Sequence, residues 1–279
     1  YMRGREFLAR RGRKNTDLAI RMFESAISID EGFAGACAGL AEACANMYEW
    51  YDGNPSWLGR AIETHQIELE RDPESIEARF GIAMVYYHQG RFAEAKRNLL
   101  AVVQAEPRHM LAHLRLGMIA ERSGNLQDAL TQYQAAAAQG SHDDPWRYLA
   151  ALHRKLGDAD SAQAAAINVI EITTRKLEAS LDDVVLMSRL GEAYARFGGK
   201  AETHAILRRV IELDPSDSLA MYHSACAHAL LGETSAALGA LRRAYENGFK
   251  AVAHSAITDS AFDAIRETPE FRRLVAELV

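Results

Sequence analysis

Apolar residues recur at helical spacing along this whole chain, in paired stretches that a glycine divides. Glu74 to Pro107, ESIEARFGIAMVYYHQGRFAEAKRNLLAVVQAEP, shows the unit most clearly. It predicts a first helix, a tight turn at Gly90-Arg91, and a second helix ending at a proline. Proline closes such a pair at Pro73, Pro107 and Pro215, and the first two are 34 residues apart. The mid-unit glycine falls at Gly90, Gly124, Gly157, Gly198 and Gly232, in steps of 34, 33, 41 and 34. No predicted strand interrupts the series, so the chain reads as all-α and repetitive.

Small and large residues keep phase with the period. The first helix carries a small residue at Ala41, Ala83, Gly117, Ala150, Gly191 and Ala225, usually after a large apolar one: Leu40, Ile82, Leu116, Leu149, Leu190. The second helix has Ala19, Ala61, Ala95, Ala129, Ala162 and Ala237, with Thr203 as the exception. Four residues later stand Phe23, Leu99, Tyr133, Leu207 and Leu241. A small residue lets two antiparallel helices approach closely, and the large one fills the gap beside it. No single pair can bury its apolar face, so the pairs must stack into a continuous core.

The period and these in-phase positions resemble the tetratricopeptide repeat (TPR) family over nearly the whole chain. The resemblance implies a right-handed superhelical α-solenoid of about seven helix pairs over residues 1–248, with a C-terminal helical cap over 249–279. It further implies a protein- or peptide-binding scaffold whose concave side is lined by the first helix of each pair. Tyr1-x-x-Gly4-Arg5, Asp17-Leu18-Ala19-Ile20-x-x-Phe23-Glu24-x-Ala26-Ile27-x-Ile29-Asp30 and Phe33-Ala34-x-Ala36-x-Ala38-Gly39-Leu40-Ala41 resemble a narrower bacterial group. That group forms the C-terminal TPR regions of Ser/Thr protein kinases, class III adenylate cyclases and winged-helix regulators. Its closing segment resembles Asp259 to Leu274 here, whereas Glu31 stands where the group usually has proline. The expectation is a non-catalytic interaction or sensory region of a larger bacterial signalling protein, with further chain expected before Tyr1. The alternatives are a free-standing adaptor and, second, an enzyme with an unrecognised site in the groove.

Departures from the period mark places of interest. Arg10-Arg11-Gly12-Arg13-Lys14 reads as a long basic turn, with Asn15-Thr16-Asp17 placed to cap the helix after it. Residues 46–57 form an insertion that holds two of the three tryptophans, Trp50 and Trp57, and can act as a binding lip or as a plug. The second helix of the fifth pair runs on through Glu178, which accounts for the step of 41. After the last pair, Phe262, Ile265, Phe271 and Leu274 suit a cap over the apolar end.

Charge and cysteine content narrow the setting. A formal net charge of −6 argues against nucleic acid or an anionic membrane as partner. No apolar stretch is long enough for a membrane span. Cys37, Cys44 and Cys226 form no disulfide framework, which fits a reducing, cytoplasmic compartment. Cys37 and Cys44 are seven apart on one predicted helix, at positions expected to be buried.

Candidate chemistry is confined to binding. No phosphate loop, His-Glu-x-x-His or Gly-x-Ser-x-Gly motif occurs, so no catalytic residue and no cofactor are expected. His109 and His113 have a metal-ligand spacing but no third ligand in view, and no metal site is expected. Asp143-Asp144 and Asp182-Asp183 are read as helix caps. Three first helices carry arginines seven apart, Arg115/Arg122, Arg147/Arg154 and Arg189/Arg196, joined by Lys155. Each pair falls on one helix face, so stacking would align a basic ladder suited to an acidic partner. The competing reading pairs these arginines with Glu121, Asp144 or Glu192. Phe80, Met84, Tyr87 and His88 form a second candidate patch, suited either to an apolar peptide or to contact with the insertion. The carboxylate clamp with which some TPR proteins grip chaperone tails has no counterpart at Ala38, Glu42, Phe80 and Met84.

Overall fold

A computed structural model describes residues 1–10, 12–140 and 142–278, the side chains of residues 49, 50 and 52 excepted. The described residues form sixteen α-helices, one π-helical segment and one 3-10 turn, with no strand. They divide into two compact units, Tyr1–Gln139 and Gly140–Val279.

The first unit contains four antiparallel pairs: α1 (Met2–Ala9) with α2 (Arg13–Ile29), α3 (Ala34–Asn46) with α4 (Ser56–Arg71), α5 (Ile76–His88) with α6 (Phe92–Ala105), and α7 (Met110–Arg122) with α8 (Leu126–Ala137). The second contains three: α9 (Asp144–Lys155) with α10 (Ala159–Glu178), α11 (Val184–Arg196) with α12 (Lys200–Leu213), and α13 (Ser218–Leu230) with α14 (Thr234–Glu246). It ends in α15 (Val252–Thr258), the 3-10 turn Ser260–Phe262 and α16 (Pro269–Leu278).

The mid-unit glycines are required by backbone geometry. Gly90, Gly124, Gly157, Gly198 and Gly232 all have φ between 73° and 80°, in the left-handed region where a Cβ is strained. They end the first helix of the third to seventh pairs and return the chain beside it. The small residues then work as spacing predicts. Ala83, Ala95 and Leu99 are fully buried in the third pair, as are Ala225, Ala237 and Leu241, within 1% exposure, in the seventh. Thr203 keeps its place because its hydroxyl donates to the carbonyls of Gly199, at 2.7 Å, and Gly191, at 3.2 Å. A buried hydroxyl so satisfied packs as a small residue.

Two local readings are corrected. Asn15, Thr16 and Asp17 do not cap α2; the helix already begins at Arg13 behind Gly12, whose φ of 90° sets the entry. The Thr16 hydroxyl bonds back to the Gly12 carbonyl, so the turn is shorter than the basic run. Arg11 itself lies outside the described residues. Asp143 precedes α9 but makes no capping hydrogen bond, whereas Asp183 caps α11 by accepting from Val185 and Leu186 N–H.

The insertion is built as a continuation of α3. Met47–Asp52 extends the helix in π form, Gly53 ends it at φ 64°, and α4 starts three residues on. Met47 is buried, and Tyr48, Tyr51 and Trp57 pack against the core of the first two pairs. The Tyr51 hydroxyl accepts from Gly12 N–H at 2.9 Å. At the other end, Phe262, Ile265, Phe271 and Leu274 are buried, and the ring of Tyr222 on α13 packs against Phe249 and Phe262. No helix among the described residues is long and apolar enough to cross a membrane.

Candidate functional site

The predicted arginines, Lys155, Phe80, Met84, Tyr87 and His88 lie on first helices of the pairs, whereas Trp57 lies on α4. In the second unit those helices are α9, α11 and α13. At their centre sits Glu192 of α11, whose side chain is 1% exposed. One carboxylate oxygen accepts from Arg147 of α9 at 3.2 Å and from Arg196 at 2.7 Å. The other accepts from Arg147 at 3.3 Å and from His223 Nδ1 of α13 at 2.9 Å. Three donor groups, in four contacts, occupy both oxygens of the carboxylate. Burial pushes the Glu192 carboxyl upward, but Arg147, Arg196 and His223 together outweigh it and hold it well below the usual range. Burial holds the His223 imidazole below its ordinary value against the pull of Glu192, so it bonds as a neutral N–H donor at neutral pH.

A second cluster joins α9 to α10 and α11. Asp143, buried at the start of α9, accepts from Lys176 Nζ at 3.0 Å and from Arg189. Asp144 accepts from Arg147 at 3.3 Å and also from Arg189. Lys176 lies on the part of α10 that overruns the normal repeat, so the long helix supplies a counter-charge for Asp143. The aspartates are network members, and the reading of them as caps is corrected for that reason.

The basic ladder is therefore not continuous. Arg147 and Arg189 spend their guanidinium groups on Asp143, Asp144 and Glu192, which stand opposite them across the helix layer. Three positive charges from arginine and one from Lys176 face three carboxylates, leaving a net excess of one. Arg154, in the last turn of α9, adds to that excess. Arg196 is 9% exposed, and its Nε and Nη1 have no hydrogen-bond partner among the described residues. Arg154 is exposed and forms no ion pair among the described residues; burial and the like charge of Arg196 hold its guanidinium below the ordinary range. Lys155 follows it at the exposed end of α9.

In the first unit Arg115 and Arg122 are stacked on aromatic rings and form no ion pair among the described residues. The Arg115 guanidinium lies 5.4 Å from the ring centre of Tyr87, and Arg122 lies 4.8 Å from that of Phe92. Much of the predicted aromatic patch is used internally. Phe80 packs on the His109 ring at 4.8 Å, and Tyr87 meets Phe92 edge-on at 5.5 Å. His88 meets Tyr48 of the π segment at 6.0 Å, and burial, with help from Arg115, lowers its pKa to about 4. Met84 is half-buried on the same helix. Trp57 is half-buried against the core, and the side chain of Trp50 lies outside the described residues. Among the remaining predictions, His109 caps α7 by accepting from Ala112 N–H, and His113 bonds Gln132 and the Pro107 carbonyl.

Spacing along the sequence does not reveal a third cluster. His204 of α12, His228 of α13 and Glu233 before α14 converge, with one ligand atom from each within 4.8 Å of the others. The residues are separated by a turn and a helix, and only folding brings them together.

Stacked helix hairpins with left-handed glycine turns and a small–large pairing rule define a helical repeat scaffold. A family profile described as "Tetratricopeptide repeat" matches residues 58–95, 80–145 and 188–252, which together exceed half of the chain. The chain belongs to the tetratricopeptide repeat family, whose members bind proteins or peptides. No curated protein matches it. Among solved structures it is similar to TTC0263, a thermophilic TPR protein of Thermus thermophilus, with 20% identity and a TM-score of 0.54, over 68% of this chain and 94% of that one. A tetratricopeptide repeat protein from Parabacteroides merdae aligns with 12% identity and a TM-score of 0.55, over 99% and 95%. Human IFIT1, solved as a dimer with m7Gppp-AAAA, aligns with 11% identity and a TM-score of 0.60, over 96% and 68%. At these identities the likeness concerns the fold.

Proposed function

We propose that the chain is a scaffold that binds acidic protein segments, through Arg154, Lys155 and Arg196 on the first helices of the second unit and, as a separate candidate surface, through Arg115 and Arg122 on those of the first. The observation that carries this reading is Arg154, an exposed guanidinium with no ion pair among the described residues, beside the like charge of Arg196. Two like charges placed together repel, and a carboxylate that accepts from the exposed guanidinium relieves that repulsion. Arg147 and Arg189 orient the layer and are not offered to the ligand. Phe80, Met84, Tyr87, His88 and Trp57 contribute shape at the rim of the first unit. Trp50 belongs to this proposal by sequence alone.

The setting we propose is cytoplasmic, as the interaction or sensory region of a larger bacterial signalling protein. Its support is the resemblance carried by Gly4, Phe23, Gly39 and their neighbours. We assign no reaction to this chain and no nucleic-acid partner.

The test is fluorescence anisotropy of the full chain with a labelled hexaglutamate peptide. Arg154→Glu with Lys155→Glu changes only exposed groups and is expected to abolish binding while circular dichroism stays unchanged. Unchanged affinity, or equal binding of a hexalysine peptide, overturns the reading. Arg147→Glu is a poor probe, because it would place a second carboxylate against buried Glu192.

A further inference from the structure

His204, His228 and Glu233 form a compact ligand set that binding of an acidic segment does not need. His204 Nε2 lies 3.0 Å from both carboxylate oxygens of Glu233. His228 Nδ1 lies 2.8 Å from Oε2 of the same group. The two imidazole rings are tilted by 38° with centres 6.2 Å apart, so both edges converge on one carboxylate. All three residues are half-buried, open to ions from solvent yet held by α12, α13 and the turn after Gly232.

We propose that His204 Nε2, His228 Nδ1 and the Glu233 carboxylate bind one Zn²⁺ ion, tying the sixth helix pair to the seventh. An ionised carboxylate only accepts hydrogen bonds, so each ring nitrogen that faces it must carry a hydrogen. One metal ion replaces both. Each imidazole moves its proton to its other nitrogen and offers the freed lone pair, and binding of Zn²⁺ to the neutral rings then needs no net oxidation or reduction. Tetrahedral Zn²⁺ with bonds near 2.0–2.1 Å spaces its ligand atoms by about 3.3 Å. The nitrogen–oxygen separations here are 2.8 and 3.0 Å, so the half-exposed side chains need only open slightly.

Two imidazoles with one carboxylate suit Zn²⁺ and its borderline neighbours, whereas Ca²⁺ and Mg²⁺ require oxygen ligands. Lys200 is the local competitor. Its ammonium lies 2.9 Å from Glu233 Oε1, but the side chain is 60% exposed and can swing into water when a divalent ion takes its place. The fourth tetrahedral position then faces the side that Lys200 leaves, open to water or to a ligand atom of a bound partner.

The test titrates ZnCl₂ into the full chain in chelator-free buffer, by calorimetry and by competition with a chromophoric chelator. One equivalent is expected to bind and to raise the melting temperature, with no response to MgCl₂ or CaCl₂. His204→Ala, His228→Ala and Glu233→Gln should each weaken binding by more than the about 10- to 100-fold that loss of an outer-shell partner costs. Lys200→Ala should tighten it. The chain has ten histidines, so His109→Ala with His113→Ala serves as the control for adventitious uptake and should leave the stoichiometry and affinity for zinc unchanged. Cobalt in place of zinc should give the intense visible bands of a tetrahedral site, a readout that does not depend on stability. Absence of stoichiometric binding, or binding that survives His204→Ala with His228→Ala, overturns the proposal.

Discussion

The ring of Tyr133 on α8 occupies the space that a side chain on Gly117 of α7 would need. A Cβ placed on Gly117 would fall 2.4 Å from Cδ1 and Cε1 of that ring. Tyr133 is itself fully buried, and its hydroxyl donates to Glu121 at 3.0 Å, so the ring has nowhere to retreat. The same arrangement recurs where Phe23 lies against Gly4 and Gly39, at 2.7 and 2.5 Å from the ideal Cβ positions.

Gly117→Ala therefore trades helix propensity against overpacking. Alanine gains about 1 kcal/mol in a helix interior, while forcing a methyl into a filled core costs about 1–3 kcal/mol. The expected outcome is a net loss of stability, read as a lower urea midpoint. Gly239→Ala is the matched control. Gly239 is also inside a helix, but its Cβ would meet nothing within 4 Å, so the same change there should raise the midpoint. Equal effects at the two positions would show that the close approach does not govern this pair.

Glu192 is the single residue whose loss should cost most in the second unit. It pairs with Arg147 and Arg196 and accepts from His223 while 1% exposed. Removing one partner of a buried pair leaves the others uncompensated, at about 3–5 kcal/mol. Glu192→Ala should lower the melting temperature sharply. Arg147→Met with Glu192→Leu should be tolerated better than Glu192→Ala alone, because two charges then leave together. A double variant no more stable than the single one would argue that the network is held by something other than charge pairing.

The repeat is legible in the sequence because its cause is local. A left-handed turn needs glycine, and close helix approach needs a small residue, so Gly90 and Ala95 announce themselves without any partner in view. The binding face is only half legible. Arginines seven apart do share a helix face, but Arg147 meets Glu192, 45 residues away, and Arg189 meets Asp143, 46 residues away. One-dimensional spacing cannot show a counter-charge on the next helix. The same separation hides His204 and Glu233, 29 residues apart. Asp143 reads as a cap because its position fits that role, and only burial and Arg189 show that its carboxylate is used elsewhere.

The three thiols should be inert in the folded protein. Cys37, Cys44 and Cys226 are at most 4% exposed, and burial pushes the Cys44 thiol up to about 12 and the Cys226 thiol well above its ordinary value. A reagent that needs an accessible thiolate then has no target. Ellman's reagent at pH 8 should register no rapid reaction with native protein and three thiols in guanidinium chloride. A rapid equivalent in the native state would mark local opening of the helix that carries it.

Stability should fall as pH drops below neutrality, well before the carboxylates titrate. His88 has a folded pKa of about 4, against an ordinary value of 6.5, because burial and then Arg115 disfavour its charged form. His223 is shifted in the same direction, chiefly by burial. Between pH 6.5 and 4 the unfolded chain takes up a proton at His88 and the folded chain does not, and His223 acts in the same direction below its ordinary value. The unfolded state thus binds more protons, and stability rises with pH across that window. For His88 the full difference is at most about 3 kcal/mol. Glu192 acts lower: its depressed folded pKa contributes stability above about 4.5 that is lost as pH falls through its folded value. Urea midpoints measured from pH 7.5 to 4.5 should decline for the natural sequence. His88→Phe should have a shallower decline whatever its midpoint at pH 7.5, because the slope counts protons and is insensitive to a constant packing change. A slope equal to that of the natural sequence would mean that His88 titrates in the folded protein as it does in water.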